Sequence, residues 1–347
     1  VADRPYRLAI NGYGRIGRCL LRALAERGDA TGMEVVAIND PADAAAMAHL
    51  TRHDTTHGRF PGEVALADGA LEIDGRWIRL SHETDPARLP WAECGVDLVL
   101  ECSGSFRDRA TAEAHLTAGA RRLLFSQPAS SDVDVTLVRG YNQADLRRGH
   151  RIVSAASCTT NCLIPLIATL DQAFGVEHGV ATTLHSAMND QPVIDSLQSG
   201  SPRLTRSALQ SMVPVDTALA RGVERLMPHL AGRFECLHMR VPTINVSAMD
   251  LAVTLAQDTD AETVNAAFRE AADGPLSGLF GVVDDAVASM DFNHDPRSGI
   301  LDATQTRVAA GRLVKLICWF DNEWGFAHRM LDIAGDIARL DRAGGYP

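Results

Sequence analysis

The sequence predicts an α/β fold in two parts: a doubly wound parallel sheet in the first half, and an α+β second half built on a mainly antiparallel sheet. Three observations predict it. The chain has 347 residues, which at about 150 residues per domain suggests two domains. Up to about residue 157, short apolar runs alternate with helical patterns, the signature of parallel strands joined by crossover helices. Beyond residue 158 the rhythm changes to long strand candidates separated by few, short helices. The expected domains are therefore 1–157, completed by a C-terminal helix within about 322–347, and 158–321.

Taken in order, Tyr6–Asn11 reads as a first strand and Arg15 to Glu26 as a helix. Met33–Ile38 is the next apolar run. Val96–Cys102, Arg122–Phe125 and Val133–Val138 continue the series, with Ala110–Ala118 as a helix between the first two. In the second half Cys162–Phe174 reads as a helix and Val180–His185 as a strand. Ser186–Pro214 is polar and broken by Pro192, Pro202 and Pro214; connections of that length are uncommon and usually functional. Phe234–Val241 and Ile244–Gln257 are long strand candidates. Thr259-x-x-Glu262 reads as a capping box opening a helix to about Ala272. Leu313–Phe320 is another strand, and a last helix runs from about Ala327 to Leu340.

The net charge of −11 argues against generic binding to nucleic acid or an anionic membrane, which needs clustered positive charge. It leaves room for a local basic pocket that takes a phosphorylated metabolite. No apolar run reaches the roughly 18 residues needed to span a bilayer. Val1 to Asn11 lacks the basic region and apolar core of a secretory signal. The seven cysteines are scattered and odd in number, which is no disulfide framework. A reducing, cytoplasmic setting is the simplest expectation.

Gly12-Tyr13-Gly14-Arg15-Ile16-Gly17 is G-x-G-x-x-G. Alone the motif is weak, but here it follows a strand and opens a helix, the context it needs. Gly12 permits the tight turn, Gly14 lets the backbone approach a pyrophosphate, and Gly17 lets helix and strand pack closely. The pyrophosphate would rest on the helix N-terminus, where unpaired N–H groups and the helix dipole favour an anion. Asp40 ends the second strand, where a carboxylate accepts hydrogen bonds from a ribose diol and repels a 2′-phosphate. These residues predict a Rossmann-type domain that takes NAD rather than NADP. Asn39-Asp40-Pro41 would equally suit a strand-ending turn.

Ser154-Ala-Ala-Ser-Cys-Thr-Thr-Asn-Cys162 lies between a strand and a helix and places Cys158 at the helix N-terminus. The dipole there favours thiolate over thiol, and thiolates attack carbonyl carbon. Cys162, one turn further in, reads as a small buried hydrophobe. A lone C-x-x-x-C with no second ligand pair is not a zinc site, so no metal is expected. His185, at the end of a strand and just before the long loop, can serve as general base for the thiol and later for a hemithioacetal hydroxyl.

S-A-A-S-C-T-T-N-C resembles the active-site signature S-N-A-S-C-T-T-N-C of the glyceraldehyde-3-phosphate dehydrogenase family. N-G-Y-G-R-I-G-R at 11–18, D-T-T-H-G-R-F at 54–60, R-V-P-T-I-N-V-S at 240–247 and W-F-D-N-E-W-G-F at 319–326 also resemble it and keep the family's order across essentially the whole chain. Several segments look more like the D-erythrose-4-phosphate dehydrogenase branch: H-S-A-M-N-D-Q-P-V-I-D after His185, A-D-A-A-A-M-A-H-L at 42–50, Q-S-M-V-P-V-D-T at 210–217 and S-M-D-F-N-H-D-P at 289–296. Where the family's glyceraldehyde-3-phosphate enzymes typically have two threonines, one a substrate-phosphate ligand, this chain has Met188 and Asp190. A thioether cannot donate to a phosphate and a carboxylate repels one. Ala155 stands where the signature has Asn, and Gln127 where a small residue or His is expected.

The resemblance implies NAD-dependent oxidation of a phosphorylated sugar aldehyde through a thioester on Cys158, with His185 as base, in a homotetramer. It implies cofactor contacts from Arg15, Ile16, Ser103 and Asn322, the last to the nicotinamide carboxamide. It implies anion or substrate contacts from Ser157, Thr159, Arg206, Thr217 and Arg240; the alternative for the two arginines is a surface or inter-subunit ion pair. The branch points to D-erythrose 4-phosphate as substrate, 4-phospho-D-erythronate as product, water as acyl acceptor and pyridoxal phosphate synthesis as the setting. A phosphorylating glyceraldehyde-3-phosphate enzyme is the alternative, and a non-catalytic NAD-binding protein a remote one.

Overall fold

The computed structural model describes residues 4–197 and 200–344. The chain forms two compact units, one running to Ser157 and including the residues from Ala327 on, the other spanning Cys158–Phe326.

The first unit begins β1 (Tyr6–Asn11), α1 (Arg15–Arg27), β2 (Met33–Asn39) and α2 (Ala44–Arg52). A small ribbon, β3 (His53–Asp54) and β4 (Gly58–Arg59), leads to β5 (Val64–Ala67), β6 (Ala70–Ile73) and β7 (Arg76–Ser81). Then come α3 (Trp91–Cys94), β8 (Leu98–Glu101), α4 (Arg109–Thr117), β9 (Arg122–Phe125), β10 (Val135–Thr136) and β11 (Ile152–Ser154). The nine strands of the sheet lie in the order β10-β11-β9-β8-β1-β2-β7-β6-β5. From β10 to β7 every pair is parallel, and the order reverses direction between β1 and β8. That doubly wound core is the predicted fold class. Ala9, Ala37, Trp91, Val99, Leu123 and Phe125 build one of its buried clusters.

An antiparallel edge, β5–β6–β7, extends the expected parallel sheet. Two Asp-Gly pairs build it. Asp68-Gly69 and Asp74-Gly75 all have positive φ, as the two central residues of a type I′ hairpin turn require.

The second unit opens with α5 (Cys158–Phe174) and β12 (Val176–His185). It continues with β13 (Val213–Val215), α6 (Leu219–Leu226), β14 (Phe234–Arg240), β15 (Ser247–Leu255), α7 (Ala261–Asp273), β16 (Phe280–Val283), β17 (Gly299–Asp302), β18 (Arg307–Ala309) and β19 (Leu313–Phe320). Its sheet runs β13-β14-β12-β15-β19-β17-β16, with β18 on β19. Most pairs are antiparallel; β12/β14 and β16/β17 are parallel. On β12 the side chains of Ala181, Thr183 and His185 are buried while Val180 and Leu184 are exposed, the period-2 alternation of a strand with one face on a core. The helix α5 packs against β12 and β15 and is apolar along most of its length. The last helix, α8 (Trp324–Ala343), starts earlier than the expected Ala327. The Asp321 carboxylate accepts from the backbone N–H groups of Glu323 and Trp324 and so opens the helix there. The capping box expected at Thr259 also moves by one residue. Asp260 is the N-cap, accepting from Thr263 N at 2.8 Å, because the Thr259 N–H is already spent on the Gly311 carbonyl.

Among the described residues no helix is long and apolar enough to cross a membrane.

Candidate active site

Two sites emerge, one in each unit. In the first, the carboxyl ends of β1, β2 and β8 frame a cavity of about 410 Å³ lined by Gly12, Gly14, Asn39, Asp40, Glu83 and Ser103, among others. This is the place where the strand order reverses, and ligands of open α/β sheets bind there. The three glycines have different local reasons. At Gly12, φ is +90° and an added Cβ would lie 2.4 Å from the backbone of Ser103. At Gly17 it would lie 2.3 Å from the Gly12 carbonyl oxygen. At Gly14 it would meet no protein atom within 4 Å, so that position is kept open toward the cavity.

Asp40 ties this loop down. Its carboxylate accepts from Tyr13 N at 2.7 Å and from Ala42 N at 2.9 Å. Arg15 does not extend its guanidinium into the cavity. It forks onto Asp54, whose carboxylate also accepts from the N–H groups of Thr56 and His57. Burial works to raise the Asp54 pKa, but Arg15 and those two N–H groups outweigh it and bring the carboxyl to about 2. What Arg15 and Ile16 offer a ligand is the backbone of the first helical turn.

Beneath Ser103 lies a buried network that the sequence reading missed. The wholly buried Glu101 accepts from Asn11 Nδ2 at 2.5 Å and from both N and Oγ of Ser103. His115 Nε2 lies 3.2 Å from the same carboxylate, off the line of a hydrogen bond, and its Nδ1 accepts from the Trp91 indole at 3.0 Å. Asn11 in turn accepts from Asn39. The network locks the ends of β1, β2 and β8 together, so the cavity is preformed. Its members are far apart in sequence; Glu101, ending an apolar strand on the residue before Cys102-Ser103, was the available signal.

In the second unit, Cys158 is the first residue of α5, and Ala156, two residues before it, holds a φ of +58°, unusual for a residue with a side chain. Cys158 Sγ lies 3.7 Å from His185 Nε2. His185 Nδ1 lies 2.8 Å from the Ser186 carbonyl oxygen. That oxygen can only accept, so Nδ1 carries the proton and Nε2 presents a lone pair to the sulfur. Burial pushes the Cys158 thiol up to about 12, against the pull of the Thr159 N–H. The expectation that the helix terminus favours the thiolate is met by a larger opposing effect, desolvation, and His185 Nε2 at 3.7 Å is placed to accept the thiol proton. Burial, helped by Arg240, holds His185 below its ordinary value, so its ring is neutral and able to accept.

Arg240 is opposite His185 in the β12/β14 register and is buried. Its guanidinium pairs with Asp190. Arg206 pairs with Asp195 at 2.8 Å, with both side chains more than half exposed. The ion-pair alternative thus describes both arginines in this structure. Thr159 is buried, while Ser157 and Thr217 are partly exposed; Thr217 Oγ1 accepts from Leu219 N at 3.2 Å. Asn322 is buried, and its Oδ1 accepts from Ser186 Oγ at 3.0 Å and Ser247 Oγ at 2.8 Å. The two hydroxyls fix the amide and leave its NH₂ as the group free to meet a ligand. Ala155 is wholly buried, where a methyl needs no hydrogen-bond partner. Gln127 donates to the Phe106 carbonyl.

Residues 6–109 match the family model described as glyceraldehyde 3-phosphate dehydrogenase, NAD binding domain, and residues 157–322 match glyceraldehyde 3-phosphate dehydrogenase, C-terminal domain. The first spans the glycine loop, Asp40 and Ser103; the second spans Cys158, His185, Arg240 and Asn322.

Proposed function

We propose, for a chain that belongs to the glyceraldehyde 3-phosphate dehydrogenase family, that it oxidises D-erythrose 4-phosphate to 4-phospho-D-erythronate and releases the acyl group to water. Family membership makes it an NAD-dependent oxidoreductase acting on phosphorylated sugar aldehydes; the choice of sugar and acceptor is our reading. The observation that carries it is the Asp190 carboxylate on the buried Arg240 guanidinium. A phosphorylating enzyme must hold two anions near its nucleophile, the substrate's phosphate and inorganic phosphate. Here the chain itself pairs both arginines, but only the Arg240 guanidinium is buried in its pair, whereas the Arg206–Asp195 pair is exposed; Met188 offers no donor. One anion position served by Arg206, Thr159 and Thr217 suffices for a substrate phosphate when water is the acceptor.

The cavity fits a dinucleotide, because Gly14 opens its backbone to it and the start of α1 faces it. Gly12, Gly14, the N–H groups of Arg15 and Ile16, Asp40 and Ser103 would hold NAD, and Asn322 its carboxamide. When bound, NAD accepts a hydride at its nicotinamide ring. The protein's own steps follow from the geometry. Cys158 Sγ adds to the aldehyde carbon while its proton passes through His185 Nε2 to the carbonyl oxygen, giving a hemithioacetal. The N–H groups at the start of α5 stabilise the oxyanion as it develops. His185 then takes the hydroxyl proton as the carbon is oxidised, leaving a thioester on Cys158. Returned to its neutral form, His185 deprotonates a water that attacks the thioester, and the thiol leaves with that proton.

The phosphorylating reading, with glyceraldehyde 3-phosphate, draws on the Arg206–Asp195 pair. An exposed pair of this kind contributes roughly 0–1 kcal/mol, so an anion displaces it easily. Initial rates of NAD reduction with each sugar phosphate, with and without inorganic phosphate, decide between them. Phosphate-independent turnover that favours the four-carbon sugar supports the proposal; strictly phosphate-dependent turnover of the three-carbon sugar overturns it.

We also take the chain to be a cytoplasmic homotetramer working in pyridoxal phosphate synthesis. Support for self-association comes from the apolar face that Val180, Leu184 and Leu237 leave exposed on β12 and β14; patches of that kind mark protein contacts. Light scattering after gel filtration tests it.

A further inference from the structure

His238 sits on β14 opposite Thr183 of β12, two residues before Arg240. In paired strands residues two apart share a face, so His238 and Arg240 lie beside Thr183 and His185. Its ring stacks on that of His185, with centroids 4.9 Å apart and planes 26° apart. His238 Nε2 is buried and has no hydrogen-bond partner among the described residues. An unsatisfied buried nitrogen costs roughly 1–3 kcal/mol, a cost a leucine or phenylalanine at this position avoids. The ring therefore calls for an explanation beyond filling space.

His185 is held on three sides. Ser186 fixes Nδ1, Cys158 faces Nε2, and His238 covers one face of the ring. We propose that His238 is a positioning residue for the proton transfer between Cys158 and His185: its neutral ring fixes the plane of the His185 imidazole and keeps water off one face. This rests on His185 being the base. The charged and titratable groups around the pair are Cys158 at the start of α5, Arg240 on β14, Asp190 on the loop after β12, and Glu323 before α8. Burial first, then His185 and Arg240, bring His238 to about 3, so it stays uncharged through the working range and adds no positive charge beside the base. Burial is also the main cause that holds His185 down. Opening that face to water moves His185 back toward its ordinary value, and the acid limb of the pH profile moves up with it.

The test compares wild type, His238→Ala, His238→Phe and His185→Asn. It uses kcat, KM and the pH profile of kcat/KM with D-erythrose 4-phosphate and with glyceraldehyde 3-phosphate, and thermal melts for folding. For His238→Ala the expected result is an acid limb raised by about half a pH unit or more and kcat lowered about tenfold or more, with KM within about twofold. His238→Phe, which keeps a flat ring without a titrating group, restores both. An unshifted acid limb in folded His238→Ala overturns the proposal. So does a folded His238→Phe as inactive as His185→Asn, because His238 would then exchange protons itself. If His238→Ala fails to fold, the Phe variant decides: a wild-type limb and kcat support positioning, and a shifted limb contradicts it. Full activity in His185→Asn would instead remove the base reading, an outcome distinct from any result at His238.

Discussion

Alanine at Gly14 and alanine at Gly17 should have different consequences, although both lie in one short motif. At Gly17 the new Cβ would sit 2.3 Å from the Gly12 carbonyl oxygen, where ordinary contact begins near 3.4 Å. The loop must move by about 1 Å. Overpacking of that kind costs roughly 1–3 kcal/mol, offset by the ~1 kcal/mol that alanine gains over glycine in a helix. The net cost of about 0–2 kcal/mol lowers the melting temperature by up to a few degrees and displaces the loop that would carry the pyrophosphate. At Gly14 nothing lies within 4 Å. The loss of a favourable N-cap and the gain from a stiffer unfolded chain are each about 1 kcal/mol or less and oppose one another. Cofactor-free stability should therefore stay within about 2 °C. The methyl nevertheless projects into the cavity, and a steric conflict of roughly 1–3 kcal/mol with bound NAD weakens binding about 5- to 150-fold. Thermal melts without cofactor, paired with calorimetric titration of NAD, measure both quantities. Wild-type NAD affinity in Gly14→Ala would refute the placement of the pyrophosphate on this loop.

Three other predictions concern different parts of the molecule. Asp190→Ala frees Arg240, so turnover should gain a dependence on inorganic phosphate that wild type lacks; steady-state rates across a phosphate series read it, and an unchanged phosphate response counts against Asp190 as the block. Asp54 has a folded pKa near 2 against an ordinary 3.8, so its stabilisation is complete above pH 4 and is lost as the pH falls from about 4 through 2. Asp54→Asn should lose on the order of 1–2 kcal/mol at pH 7 and show a flatter acid limb in denaturant unfolding; a variant as stable as wild type at pH 7 contradicts this. Asn322→Leu strips the Ser186 and Ser247 hydroxyls of their acceptor at a cost of roughly 1–3 kcal/mol, and should raise KM for NAD with the Cys158–His185 pair intact, as alkylation of Cys158 can verify.

The legible parts of this chain were those whose chemistry is local in sequence. Strand, glycine loop and helix are contiguous at 6–27, so the fingerprint could be read with its context, and each glycine's reason is visible in the backbone. Cys158 was legible for the same reason: a signature between a strand and a helix fixes a side chain at a helix terminus. The β5–β7 meander was readable from its two Asp-Gly turns, but its strands are short and partly exposed and carry little periodicity. The Glu101–His115–Trp91 network and the His185–His238 stack join residues far apart in sequence, so only the folded register brings them together. The ionisation of Cys158 was misjudged because a helix terminus is visible in sequence and the extent of burial is not. Met188 and Asp190 were noticed, but that the half-exposed Asp190 carboxylate reaches Arg240 is a fact of loop geometry.

In the proposed reaction Cys158 carries the acyl group. Rapid mixing of the protein with NAD and D-erythrose 4-phosphate, acid quench and mass spectrometry of the peptide containing Cys158 tests it most directly. The expected result is a burst of NADH matched by an acyl adduct on Cys158, absent in Cys158→Ser and slowed in His185→Asn. NADH formed with no adduct, or an adduct on another cysteine, would contradict it.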